Sequence, residues 1–106
     1  MDALAAIVDP TRRRILELLR DGEVAAGDLS GEFSISRPAV SRHLRVLREA
    51  GLVHSRVDGQ RRVYALDAWP LAELDGWLEP YRRFWAQRLD ALDTELRRGH
   101  HKRRTT

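Results

Sequence analysis

Arginine is the residue of this sequence best suited to chemistry, and the arginines are unevenly placed. Residues 36–66 carry seven of them, at positions 37, 42, 45, 48, 56, 61 and 62, against only Glu49 and Asp58, a net charge of +5. Residues 97–106 carry four more with Lys102 and no acid, again +5, although the whole chain is only +3. The remaining residues therefore sum to −7. A planar guanidinium can donate two parallel hydrogen bonds to a phosphate, or to O6 and N7 of guanine. Basic charge gathered on one segment is the electrostatic footprint of a polyanionic partner, against the plainer reading of a solvated face. The excess of eighteen Arg over one Lys says less, since a GC-rich genome produces the same bias.

Other chemistries find no residues to carry them. The chain has no cysteine, which removes disulfides, iron–sulfur clusters, thiolate metal sites and cysteine nucleophiles together. There is no Gly-rich phosphate loop, nucleophile elbow or cluster of metal-ligand spacing. Ser41 and His43 stand two apart on a predicted helix and so point in different directions. No catalytic residue, no metal site and no cofactor is expected. No window is apolar enough to span a membrane, and the start, MDALAAIVDPTRRR, is acidic at its head with too short an apolar run for a signal peptide. A cytoplasmic protein is expected, nucleoid-associated when bound to DNA.

The elements that must position the arginines can be read in order. Residues 2–8 predict a short helix. Asp9-Pro10 reads as N-cap and first position of a second helix, with Ile15, Leu18 and Leu19 on one face and an end at Gly22. A third, weak helix is predicted from about Val24 to Phe33, weakened by Gly27 and Gly31. Phe33 and Ile35 should anchor the tight connection that follows. Ser36 is a good N-cap for a fourth helix over about 36–50, and Pro38 is tolerated in its first turn. At 100° per residue, Val40, Leu44 and Leu47 share one face, with Ala39, His43 and Ala50 beside them. Ser41, Arg42 and Arg45 lie opposite, flanked by Arg37 and Arg48. His43 reads better as a packed, hydrogen-bonded core histidine than as a ligand. Gly51 stops the helix. Two β-rich runs around Asp58-Gly59 predict a hairpin at about 52–66 that carries Arg56, Arg61 and Arg62, with Tyr64 and Leu66 packing inward.

Helix, helix, helix, hairpin is the order of a winged helix-turn-helix: a mainly α fold with a small β-hairpin. Such a fold presents the N-terminal part of its fourth helix to the major groove of double-stranded DNA. The exposed helix start also favours phosphate, and the hairpin tip at Gly59 and Arg61 would reach backbone or minor groove. Arg12, Arg13 and Arg14 precede an amphipathic helix and read as phosphate contacts or as surface ion pairs.

The segments DPTRRRILELL, SISRPAVSRHLRVLREAGLV and RVDGQRRVYAL closely resemble the ArsR family of winged-helix transcriptional repressors, over about residues 3–97. The stretch WLEPYRRFWAQRLDALDTEL resembles the metal-independent, SdpR-like branch. The resemblance implies a homodimer, a palindromic operator and repression relieved by a signal. It places Arg37, Pro38, Ser41, Arg42 and Arg45 in the reading helix and Gly59, Arg61 and Arg62 in the wing. The chain departs from the family's metal sensors. EVAAGDL stands where thiolate sensors carry Cys-x-Cys, and the last helix has Asp75, Asp90, Asp93 and Glu95 but no His before His100. Carboxylates alone are poor ligands for zinc or copper.

A last helical segment is predicted over about 68–97, opened by Asp67 and kinked or broken at Pro80. Its apolar residues, Leu71, Leu74, Leu78, Tyr81, Trp85, Leu89, Leu92 and Leu96, form a stripe broader than a domain of this size can cover. Leu78, Tyr81, Trp85, Leu89 and Leu92, with Leu4 of the first helix, are therefore expected at a dimer interface. The domain is expected to span 1–97, with a disordered basic tail at 98–106. Two other readings stay open: a small-molecule pocket among Trp69, Trp77, Tyr81, Phe84 and Trp85, the effector being unknown, and a winged helix used for protein–protein contact.

Overall fold

The computed structural model describes the backbone of residues 3–105 and the side chains of residues 3–99. The elements in chain order are α1 (Ala3–Ile7), α2 (Pro10–Leu19), β1 (Val24–Ala25), α3 (Ala26–Gly31), α4 (Arg37–Glu49), β2 (Val53–Asp58), β3 (Arg61–Leu66), α5 (Trp69–Leu78), a 3₁₀ turn (Glu79–Tyr81) and α6 (Arg82–Thr105). The chain divides into two compact units, 1–74 and 75–106.

The first unit is a winged helix-turn-helix. Local chemistry sets most of its boundaries. Asp9 is extended at φ −76°, ψ 127°, and its Oδ2 accepts from the Arg12 N–H at 2.9 Å. Pro10 follows at the first helical position, where a missing N–H costs nothing. Ser36 repeats the device for α4, its Oγ accepting from the Ala39 N–H at 3.3 Å. The end of α4 is a Schellman turn. The Gly51 N–H donates to the Arg48 carbonyl at 3.0 Å and the Leu52 N–H to the Leu47 carbonyl at 2.9 Å. Gly51 adopts φ +75°, which a side chain would resist, and Leu47 and Leu52 meet beneath the turn, both fully buried.

Val24-Ala25 does not open the third helix, as the sequence pattern suggests. It pairs antiparallel with β3, Val24 opposite Tyr64 and Ala25 opposite Val63, so α3 begins only at Ala26. Hydrogen bonds to a distant strand outweigh a weak local helix tendency. The sheet order is β1-β3-β2. The hairpin pairs Asp58 with Arg61, so the two-residue loop is Gly59-Gln60 rather than Asp58-Gly59. Gly59 has φ +63° and Gln60 has no positive φ, the signature of a type II′ turn.

The core gathers Ile15 and Leu19 of α2, Leu29 of α3, Val40, Leu44 and Leu47 of α4, Leu52, Val53 and Tyr64. Phe33 and Leu66 pack against it, but Ile35 is 39% exposed and does not anchor the turn.

In the second unit the helical run breaks at Pro80 into a 3₁₀ turn, as its missing N–H requires. Arg82 clasps the break. It binds the Asp75 carboxylate, donates to the Asp75 carbonyl at 3.2 Å and pairs with Glu79 at 3.2 Å. Helix α6 then continues to Thr105, through the segment expected to be a disordered tail. The side chains of His100, His101 and the basic residues after them lie outside the described residues.

Candidate nucleic-acid interface

The thirteen residues of α4 divide cleanly between two environments. Val40, Leu44 and Leu47 are buried to 1%, 2% and 0% exposure, which fixes the opposite side as the outer one. There Arg37, Pro38, Ser41, Arg42, Arg45 and Arg48 are all exposed. Among the described residues the guanidinium groups of Arg37, Arg42 and Arg48 have no ion-pair or hydrogen-bond partner. Arg45 does have one: its Nε lies 3.4 Å from Glu49 Oε1, one helical turn on. Both groups are well exposed, so this pair is weak and easily exchanged for a stronger anion.

The start of α4 offers an anion little by itself. Ser36 occupies the Ala39 N–H and Pro38 has none, which leaves the Arg37 N–H. Anion binding at this helix therefore falls to guanidinium groups more than to backbone.

The wing is less free than its composition suggests. Arg56 Nη2 donates to Glu23 Oε2 at 2.6 Å, and its other nitrogen lies 4.0 Å from Asp58. This hydrogen bond holds the Glu23 carboxyl below its ordinary pKa and raises that of Arg56. Glu23 lies 33 residues away, just before β1, so no local pattern marks the pair. Arg62 donates to Ser55 Oγ at 3.2 Å along the sheet. Arg61, beside the Gly59-Gln60 loop, is exposed, and its guanidinium has no partner among the described residues.

His43 is hydrogen-bonded as expected but is not among the core residues. It is half-buried on the flank of α4, its Nδ1 3.3 Å from Arg12 Nη1 and 3.8 Å from Asp9 Oδ2. Arg12 in turn donates from Nε to the Ala6 carbonyl at 2.6 Å. Asp9 is held below its ordinary pKa, chiefly by the Arg12 backbone N–H, with further help from the charges of His43 and Arg12 against an opposing effect of burial.

The residues expected to pair two subunits carry little cover. Leu4, Tyr81, Trp85, Leu89 and Leu92 are 40–58% exposed, and Leu78 is half-buried. Trp69, Trp77 and Phe84, weighed above as pocket residues, are 59–69% exposed. Trp77 and Tyr81 stack with ring centroids 5.2 Å apart. Among the described residues, no group of three or more His, Cys, Asp or Glu could hold a metal ion, and no helix is long and apolar enough to cross a membrane.

Comparison with known proteins agrees with this geometry. Residues 9–55 match the family model described as bacterial regulatory protein, arsR family. The chain is 48% identical over 87 residues to the HTH-type transcriptional regulator Rv2034 of Mycobacterium tuberculosis, covering 82% of this chain and 78% of the relative. It is 41% identical over 73 residues to the transcriptional repressor SdpR of Bacillus subtilis, covering 69% of this chain and 81% of that one. Among solved structures, a possible transcriptional regulator for arsenical resistance superposes with a TM-score of 0.72 at 42% identity, covering 82% of this chain and 96% of that one.

Proposed function

The chain belongs to the ArsR family of bacterial transcriptional regulators, and from that premise we propose that it is a homodimeric repressor reading a palindromic operator with α4. The observation that carries this reading is the outer face of α4. Arg37, Ser41 and Arg42 are exposed there and unpartnered among the described residues, on a helix whose other side is locked into the core. Arg37 and Arg42 suit guanine edges or phosphate, and Ser41 suits either. Arg45 joins them when a phosphate or base displaces Glu49. Ser36 and Pro38 shape the first turn that enters the groove. The wing adds Arg61 at its tip beside Gly59, with Arg62 behind it, while Arg56 reaches DNA only by leaving Glu23. The protein then works in the cytoplasm, where its DNA is.

The dimer follows from the uncovered apolar residues. Leu78, Tyr81, Trp85, Leu89 and Leu92, with Leu4, would be covered by the same residues of a second copy. Two-fold symmetry sets two reading helices about 34 Å apart, one turn of DNA, and so demands an inverted repeat. Repression is supported by the similarity to a transcriptional repressor. The promoter of the protein's own gene is the first operator to examine.

The test is selection of binding sites from random duplex DNA, followed by footprinting upstream of the gene. An inverted repeat is expected. A selected site without dyad symmetry would overturn the dimeric reading, and failure to enrich any sequence would overturn groove reading by α4.

A further inference from the structure

The cluster formed by Asp9, Arg12 and His43 lies apart from the face proposed to meet DNA. Sequence pattern alone reads Arg12 as a phosphate contact or a surface ion pair. Its side-chain donors turn inward instead. Nε donates to the Ala6 carbonyl at 2.6 Å, Nη2 to the Ala5 carbonyl at 3.5 Å, and Nη1 lies 3.3 Å from His43 Nδ1. The Ala6 carbonyl stands four residues before Pro10, which has no N–H to donate to it. Arg12 supplies that donor from α2. Arginine has no acceptor, so in its hydrogen bond with Arg12 the His43 ring accepts at Nδ1. The Asp9 carboxylate, which caps α2 through the Arg12 N–H, stands 3.8 Å from the same Nδ1.

We propose that Arg12 is a positioning residue for α4, tying the end of α1 to His43 and so fixing the roll of the arginine face about the helix axis. The proposal rests on the groove-reading function above. The contacts of Val40, Leu44 and Leu47 hold α4 against the core, but apolar contact is not directional. The bond to His43 is directional and part-buried, the His43 side chain being 23% exposed. His43 adjoins Arg42 in sequence, so any roll of α4 that breaks the bond also moves Ser41 and Arg42. Base-edge hydrogen bonds tolerate little such movement, whereas phosphate attraction tolerates much. Arg12 thereby governs the preference for operator over other DNA, not affinity for DNA in general. It also links α4 mechanically to α1, which carries Leu4.

The experiment measures affinity for the selected operator and for a scrambled duplex of equal length, at one salt concentration, beside the thermal midpoint. Arg12→Gln and His43→Leu should each lose about tenfold of the operator-over-scrambled preference, the scale of one hydrogen bond to a charged group. Affinity for the scrambled duplex should stay as in the unmodified protein. His43→Asn, which restores an acceptor near the Nδ1 position, should recover most of the preference. The proposal is overturned if Arg12→Gln keeps the original ratio, if both duplexes lose affinity in proportion, or if His43→Asn behaves as His43→Leu does. An unmodified protein that shows no preference would instead overturn groove reading itself, and this proposal with it.

Discussion

Helices α4 and α6 are both amphipathic, and their apolar sides meet opposite fates. In α4, Val40, Leu44 and Leu47 are at most 2% exposed. In α6, Phe84, Trp85, Leu89, Leu92 and Leu96 are 40–69% exposed. The chain completes the first helix by itself and leaves the second open. A surface helix with charged residues all over one side needs only one apolar stripe covered to be stable. On α4 the cover comes from within, which frees the charged side for a ligand. The apolar residues of α6 are exposed among the described residues, and a large uncovered apolar patch marks an interaction surface. The same pattern of residues thus serves recognition in one place and, on the reading proposed here, assembly in the other.

The comparison can be broken at either helix. Leu47→Ala removes a fully buried side chain of α4 and should lower folding stability by about 2–5 kcal/mol, measured by urea denaturation. A loss below about 1 kcal/mol would mean that α4 is not held as described. Leu89→Glu or Trp85→Glu should leave the fold of the first unit intact, by circular dichroism, and convert a dimer at micromolar concentration to monomer in sedimentation. An unmodified protein that sediments as a single monomeric species would end the parallel between the two helices. Smaller effects sharpen the α4 side. The double variant Arg42→Ala/Arg45→Ala should weaken operator binding by roughly 2–5 kcal/mol while the dimer persists, since each good base contact is worth about 1–3 kcal/mol. Normal binding by this variant would remove α4 from the groove. Arg61→Ala should reduce the slope of log K against log salt by about one, as expected for one lost phosphate contact.

The smallest effect concerns the cap at the start of α2. Asp9→Ala should cost about 1 kcal/mol, and Asp9→Asn much less, because asparagine caps as well as aspartate. Asp9 has a lowered pKa when folded, so its contribution is fully present above the ordinary carboxylate pKa and is lost as pH falls through the lowered value. Asp9→Asn should therefore flatten the acid limb of the stability profile. An unchanged acid limb would show that the cap does not need the charge.

Much of this was legible in sequence because it is decided within a few residues. Asp9-Pro10, Ser36 and Gly51 mark helix ends through hydrogen bonds that reach three to five positions. The spacing of Val40, Leu44 and Leu47 defines the buried side of α4, and Pro80 breaks the last helix. What escaped is long-range. Nothing local says that Val24-Ala25 will leave a helix to pair with β3, or that Ile35 will stay exposed. The partners of Arg56 and His43 lie 33 and 31 residues away.

The arginines themselves show where that division falls. Sequence determined that Arg37, Arg42, Arg45, Arg56, Arg61 and Arg62 sit on one helix and one hairpin, because helical and strand periods are properties of the local chain. Tertiary structure decided their status, because a guanidinium is neutralised by whichever carboxylate the fold brings near it. Arg37, Arg42 and Arg61 remain available among the described residues, Arg45 is lightly held by Glu49, and Arg56 is bound to Glu23. Arg12, one of three successive arginines that the sequence could not tell apart, was turned inward by the meeting of α1, α2 and α4.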